Sequence, residues 1–221
     1  MDKNVKPIIT DPELLQEWCI EIDTKKENKL LQEIVLALKN TMRANDLISL
    51  SAPQIGYNRR VFCLKFGKND IRTFVNPVIE NNTAFQFARD NCTSIPDKRF
   101  IIPRFANISV IYTTPLSKIE SVKLSGVAAF RFQHCLDHLN GMLVSDIGLE
   151  IDDQFDNASE DEKAEVLKMY ADALDVAQHK LEEEIHQDTE LSDIVDASRF
   201  IASVKSGETM IDKIEDEKST N

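Results

Sequence analysis

An α+β fold, with short β-sheets around a central metal-binding helix and an acidic helical extension at the C-terminus, is predicted by three observations. Runs of β-branched and aromatic residues between Ile48 and Lys123 are punctuated by Pro53, Gly56, Pro96 and Pro103, the pattern of short strands joined by turns. Apolar residues recur at three- and four-residue steps on either side of that region, the pattern of amphipathic helices. Finally, His134-Cys135-Leu136-Asp137-His138 sets two imidazoles four residues apart. In a helix they share a face and both can reach one divalent cation.

The elements follow in order. Asp11-Pro12 opens a short helix expected to run to about residue 22, with Leu14, Leu15, Trp18 and Cys19 on one stripe. Residues 26–44 predict a longer amphipathic helix, with Leu30, Ile34, Leu38 and Met42 facing the core. Strands are expected at residues 60–66, 71–75, 77–85 and 108–113. The helix carrying the histidines should span about residues 124–140 and stop at Gly141, which suits a left-handed cap. Ser159-Glu160-Asp161-Glu162 is a capping-box pattern. The helix it opens would carry Leu167, Tyr170, Leu174, Ala177 and Leu181 on one stripe. Beyond Ser206 the charge predicts fraying or disorder.

Composition divides the chain into residues 1–150, a compact unit, and residues 151–221, an extension. Between Glu150 and Asn221 there are 22 acidic and 7 basic residues, a net of −15, against 16 and 19 in residues 1–149. Phosphates would repel such a tail, so nucleic acid is not an expected partner. A membrane is not expected either, because no apolar run approaches the roughly 20 residues a spanning helix needs. Polar sequence after Met1 shows no targeting peptide, which implies a cytoplasmic protein. Cys19, Cys63, Cys92 and Cys135 lack CxxC spacing, arguing against a disulfide framework or a zinc ribbon. Cys19 and Cys63 sit in apolar stretches and read as buried small hydrophobes. His179 and His186 read as solvated.

Two upstream segments extend the histidine motif. Leu47-Ile48-Ser49-Leu50-Ser51-Ala52-Pro53-Gln54 offers a side-chain amide on a Pro-bounded turn, and Asp90-Asn91-Cys92-Thr93-Ser94 offers a thiolate. With Gln133 to Gly141, they resemble, in order and spacing, the three signature motifs of peptide deformylases, GxGLAAPQ, EGCLS and QHExDHLxG. The resemblance covers about residues 5–150 and implies the deformylase-like fold. It also implies one divalent metal ion, Fe(2+) or Zn(2+), on Cys92, His134 and His138. Gln54 and the backbone N–H of Thr93 would act as donors to the developing oxyanion, and Val127 and Phe130 would wall the substrate pocket. The substrate would be a formyl-methionine peptide or nascent chain, in a bacterium or, for a virus-encoded protein, in host cytoplasm.

The departures are as informative as the matches. Leu47, Ser49 and Ser51 stand for two glycines and an alanine, and Asp90, Asn91 and Thr93 for glutamate, glycine and leucine. Asn91 is a concern if its position needs positive φ. Arg131 is bulky and charged beside an apolar pocket, which predicts a narrowed or repurposed cleft. Cys135 stands for the general base. Its side chain is two heavy atoms shorter than glutamate's, and an unperturbed thiol near pKa 8.5 is mostly protonated. Loss of a general base costs roughly 10² to 10⁴ in rate. Cys135 could be an inert thiol, a fourth ligand, or part of an altered but working site. Asp137 reads as a structural salt bridge. Two functions therefore stand: a divergent deformylase, impaired or inactive for want of its base, or an inactive metal-binding protein using its acidic helical tail to hold a protein partner.

Overall fold

In the computed structural model, which describes residues 4–187 and the side chains of residues 4–175, the helix expected over residues 26–44 forms as α2, Asn28–Ala44. Its stripe works as read: Ile34, Leu38 and Met42 are buried and Leu30 packs beside them. The first helix is shorter than expected. α1 is only Pro12–Leu15, capped by Asp11, and Leu14 and Trp18 are 52% and 54% exposed. Helical periodicity is overridden there by contacts with the end of another helix. Cys19 N–H donates to the Leu139 carbonyl at 2.9 Å, and Trp18 lies over the Arg60 guanidinium, 5.4 Å from ring centre.

All β pairing in the named strands is antiparallel and joins them in one sheet. β1 (Ser49–Ser51) pairs with β2 (Val61–Lys65), β2 with β3 (Ile71–Cys92), and β3 with β4 (Ile95–Thr113). β4 also pairs with β5 (Ile119–Ser125) and, nearer its start, with β6 (Leu149–Ile151). The short strands expected at residues 71–75 and 77–85 are one long strand. Asn76 takes a left-handed conformation, φ 46°, inside a register shift between Val75 and Val78. Such a bulge bends a strand without ending it. Its side chain bonds both the N–H and the carbonyl of Ile22 at 3.1 and 3.0 Å.

Pro96 and Pro103, read as turn residues, lie within β4. Pro103 falls between the stretches of β4 that pair with β6 and with β5. One edge of the strand lacks a partner there, and a residue without an N–H is tolerated.

β2 has helices over both faces, which explains its unbroken apolar run. Phe62 and Leu64 join the cluster containing Phe74, Tyr112 and Phe132, while Val61 and Cys63 join α2's cluster with Leu31 and Ile34. Successive strand residues point to opposite faces, so every position meets a core. The Phe132 ring sits edge-on to Phe62 and Phe74 at 4.9 and 5.3 Å. It belongs to α3, Val127–Leu139, the helix that carries the histidines. At about 1.5–3 kcal/mol for each large apolar side chain buried, these rings hold α3 on the sheet.

α3 is bounded by glycines in the left-handed region, Gly126 at φ 57° and Gly141 at φ 65°. At Gly141 a Cβ would lie 2.4 Å from the Gln16 carbonyl oxygen, so nothing larger fits. After α4 (Val144–Ile147) and β6, the chain forms α5 (Asp153–Asn157) and α6 (Glu160–Gln187). The capping box forms as expected: Ser159 N–H donates to Glu162 at 2.8 Å, and Glu162 N–H donates to Ser159 Oγ at 3.3 Å. Leu167, Tyr170 and Leu174 are half-buried. The Tyr170 ring packs on Phe87, centroids 5.5 Å apart, and its hydroxyl donates to the Ile147 carbonyl. In the described part, the stripe thus covers its own chain. The side chains of Ala177, His179, Leu181 and His186, and the segment beyond Ser206, lie outside the described residues. No described helix is long and apolar enough to cross a membrane.

Candidate metal centre and its cleft

Three segments distant in sequence meet at one point. Cys92 ends β3, where a two-residue turn of Thr93 and Ser94 leads into β4. His134 and His138 project from successive turns of α3. The Cys92 sulfur and the ring nitrogens lie within 4.8 Å of one another, and all three residues are buried. Cys92 Sγ is 3.2 Å from His138 Nε2. Donor atoms sharing one ion with bonds of about 2.0–2.3 Å come together at such separations.

A buried ionic network sets the orientation of the first histidine. His134 Nδ1–H donates to Asp90 Oδ2 at 2.9 Å, which leaves Nε2 as the coordinating atom, the usual device for fixing a metal-binding imidazole. Asp90 also accepts from Arg104 and Arg131, each at 3.2 Å, and from its neighbour's N–H at 2.8 Å. Arg104 is fully buried and reaches Asp137 at 2.8 Å as well, so Asp137 is the core salt bridge expected of it. Gln133 acts as a clasp. Its amide bonds both the N–H and the carbonyl of Phe105, at 3.0 and 2.8 Å, in the stretch of β4 without a second strand.

Without an ion the electrostatics favour a thiolate held by a protonated histidine, whose proton a metal would displace. Burial alone would raise the Cys92 thiol, but hydrogen bonds from His134 and His138 outweigh it and hold the group down at about 5. Burial would likewise lower His134, yet the Asp90 carboxylate outweighs it and brings the imidazole up to about 9. Asp90 itself, despite burial, is held well below the usual carboxylate range by His134, Arg104 and Arg131. A preformed thiolate beside two imidazoles is a donor set for a divalent transition metal, so the residues fit the ion the family resemblance implies. Cys92, His134 and His138 would hold it.

Gln54 stands over this cluster on a 3₁₀ turn, Ala52–Ile55, with reciprocal capping by Ser51. Gln54 Oε1 accepts the Ser51 N–H at 3.0 Å, which turns Nε2 toward Cys92 Sγ at 3.6 Å and Ser94 Oγ at 3.2 Å. Thr93 adjoins Cys92 in the tight turn. Asn91 is not among the residues with positive φ, so the asparagine carries no strain of that kind.

Cys135 is sealed from solvent behind the cleft wall, beside Ser51 and the cleft-lining Ser49. It is 0% exposed and belongs to the apolar cluster under α3. It is not one of the clustered donors, because one residue along a helix is about 100° of rotation. Burial pushes its thiol up to about 12, against the smaller pull of Ser51 and Ser49. Ser51 Oγ donates to the Cys135 carbonyl at 3.2 Å.

A cleft of about 170 Å³ opens on His134 and Gln54, lined also by Leu47, Ile48, Ser49, Asn91, Thr93, Arg131 and, at the rim, Asp46. Val127 and Phe130 are not in that lining. Val127 is 68% exposed on the first turn of α3, and the helix instead turns Arg131 to the cleft. Asp90, Arg104, Gln133, Ser51 and Ser94 are the supporting residues that sequence reasoning missed or undervalued. All but Arg104 lay within the quoted motifs, without being given a task there.

Fold and donor set define the class: an α+β protein whose central helix and one strand end supply a buried Cys-His-His set. The polypeptide deformylase family model matches residues 5–151, and the chain belongs to that family. A peptide deformylase of Thermotoga maritima is 31% identical over 121 residues, 55% of this chain and 74% of its own. One from Pelagibacter ubique is 32% identical over 151 residues, 65% and 86% respectively. The crystal structure of a Legionella pneumophila peptide deformylase matches with TM-score 0.61 at 25% identity, covering 65% of this chain and 85% of that one. The T. maritima structure matches with TM-score 0.57 at 29% identity, covering 65% and 97%.

Proposed function

We propose that this chain binds one divalent ion, Fe(2+) or Zn(2+), and an N-formylated peptide at the cleft, as in its family, but cleaves the formyl amide slowly. The observation that carries the reading is the position of Cys135. Its side chain is sealed in the apolar cluster beneath α3, so no proton acceptor stands where the motif normally provides one.

The surrounding residues support binding of the ion and the peptide. A bound ion supplies Lewis-acid chemistry and lowers the pKa of water toward about 7. Asp90 keeps His134 in the tautomer that coordinates. The Gln54 amide N–H, its direction set by Ser51, would donate to a carbonyl oxygen as charge builds there, and the Thr93 backbone N–H would be the second donor. Asp137 is committed to Arg104 and is no substitute base. The alternative role for the acidic helix, holding a protein partner, draws less support because its described stripe rests on Phe87 and Ile147.

The test is formate release by iron-loaded, anaerobically prepared protein from formyl peptides varied at the first residue, beside Cys135→Glu. The expected result is a rate roughly 10² to 10⁴ lower than the variant's, the usual worth of a general base. Equal or faster turnover by the unaltered chain, with both proteins carrying about one equivalent of metal, would overturn the reading.

A further inference from the structure

Apart from Leu47 and Ile48 the cleft lining is polar, and its one arginine is built in. Arg131 lines the cleft and is held from both sides: Nη1 reaches Asp90 Oδ1 at 3.2 Å and the Asn91 carbonyl at 3.5 Å, and Nη2 reaches Asn91 Oδ1 at 3.3 Å. The guanidinium is thereby strapped across the gap between α3 and the tip of the β3–β4 hairpin, with its side chain 26% exposed. These contacts use two of its three nitrogens. A guanidinium has five N–H donors, so the fork keeps capacity for a further acceptor entering the cleft.

Its carboxylate partner, Asp90, is not its own. Asp90 is shared among Arg131, Arg104 and His134, and Arg104 is also shared with Asp137. The acidic residue at the rim, Asp46, is itself paired with Lys65 at 2.9 Å, its side chain 91% exposed. An apolar chain entering this space would bury the guanidinium's remaining donors without a partner, which is costly. A carboxylate would meet a planar donor fork suited to it. At about 170 Å³ the cleft is also below the roughly 300 Å³ at which ordinary ligand pockets begin, favouring a short side chain.

We propose that Arg131 sets the preference of this cleft, favouring peptides whose first residue is short and ends in a carboxylate over those beginning with methionine. This rests on the reading of the cleft as the site for a peptide N-terminus. It is independent of how fast the formyl group is removed.

The experiment is calorimetric titration of zinc-loaded protein with the unformylated peptides Asp-Ala-Ala, Glu-Ala-Ala and Met-Ala-Ala. The arms are the unaltered chain, Arg131→Met and Arg131→Lys. Asp-Ala-Ala should bind about tenfold or more tightly than Met-Ala-Ala. Arg131→Met should abolish or invert the preference, and Arg131→Lys should keep part of it. Equal or tighter binding of Met-Ala-Ala to the unaltered chain, persistence of the preference in Arg131→Met, or no binding of any peptide would overturn the proposal. If Arg131→Met does not fold, the unaltered chain and Arg131→Lys still decide it. Rapid formate release would sink the slow-hydrolysis reading alone and leave the titration to stand by itself.

Discussion

Two arginine–aspartate networks tie helices to the same pair of strands, and they differ in one respect, water. The inner network joins Arg104 of β4 to Asp90 of β3 and Asp137 of α3, with all three residues buried. The outer one joins Arg89 of β3 and Arg99 of β4 to Asp153 and Asp156 of α5 at 2.5–2.7 Å, largely in solvent. The outer contacts are as short as the inner ones or shorter. Their consequences should still be far smaller, since exposed pairs are screened and gain little, whereas a buried charge stripped of its partner is left without solvation. Distance alone does not rank ion pairs; burial does.

The largest expected effect follows from removing the buried cation. Arg104→Met leaves the buried Asp137 without its cation and takes one of three cationic partners from Asp90, and should cost about 3–5 kcal/mol of stability, the usual result of breaking a buried pair from one side. Urea unfolding of the metal-free protein measures it. A loss below about 1 kcal/mol would mean that water reaches this network and that the contrast with α5 is false.

A more selective effect is expected from Asp90→Asn. Arg104 keeps Asp137, so the fold should survive. His134 loses the carboxylate that fixes its tautomer, and metal affinity should fall about 10- to 100-fold, as for other outer partners of ligating histidines. Competition against a chromophoric chelator reads this directly. Cys92→Ser and His138→Ala set the limit, with occupancy falling from about one equivalent to almost none. Normal occupancy in both would sink the assignment of the centre.

The inner network also marks where sequence reasoning reached its limit. The triad and Gln54 were legible because their residue types are unusual and their motifs are ordered along the chain. Arg104 was not, because a lone arginine within Ile101-Ile102-Pro103-Arg104-Phe105 reads as an outward strand position. Its burial depends on two aspartates brought from other elements. The strand lengths were hidden for a related reason: bulges such as that at Asn76 interrupt the alternation that identifies a strand. α1 failed in the opposite direction, its periodicity being genuine but overruled by packing on the end of α3. Cys135 lay between these cases. Its chemical inadequacy was visible in the residue type, but the complete burial of its side chain needed the helix to be placed.

The smallest effect belongs to the outer network and sharpens the comparison most. Asp156→Asn should leave the melting temperature nearly unchanged and speed hydrogen exchange only around Asp153–Asn157, with 1 M salt doing the same to the unaltered chain. Acid separates the two networks further. The Arg89 hydrogen bond, with the pull of Arg99, holds the Asp156 carboxyl below its ordinary value. A carboxyl with a depressed folded pKa adds stability above its unfolded value, about 3.9, and loses it as pH falls through the lower folded one. Between pH 7 and 5 the α5 contacts should therefore be constant, and below about 4 they should loosen. Asp90, held down by His134, Arg104 and Arg131 inside the protein, should give way at lower pH still. In an NMR titration from pH 7 to 2.5, amides of residues 153–157 should shift before those of α3. Simultaneous loss of both sets would show that the outer clasp and the inner network form a single cooperative unit, and burial would then not be what separates them.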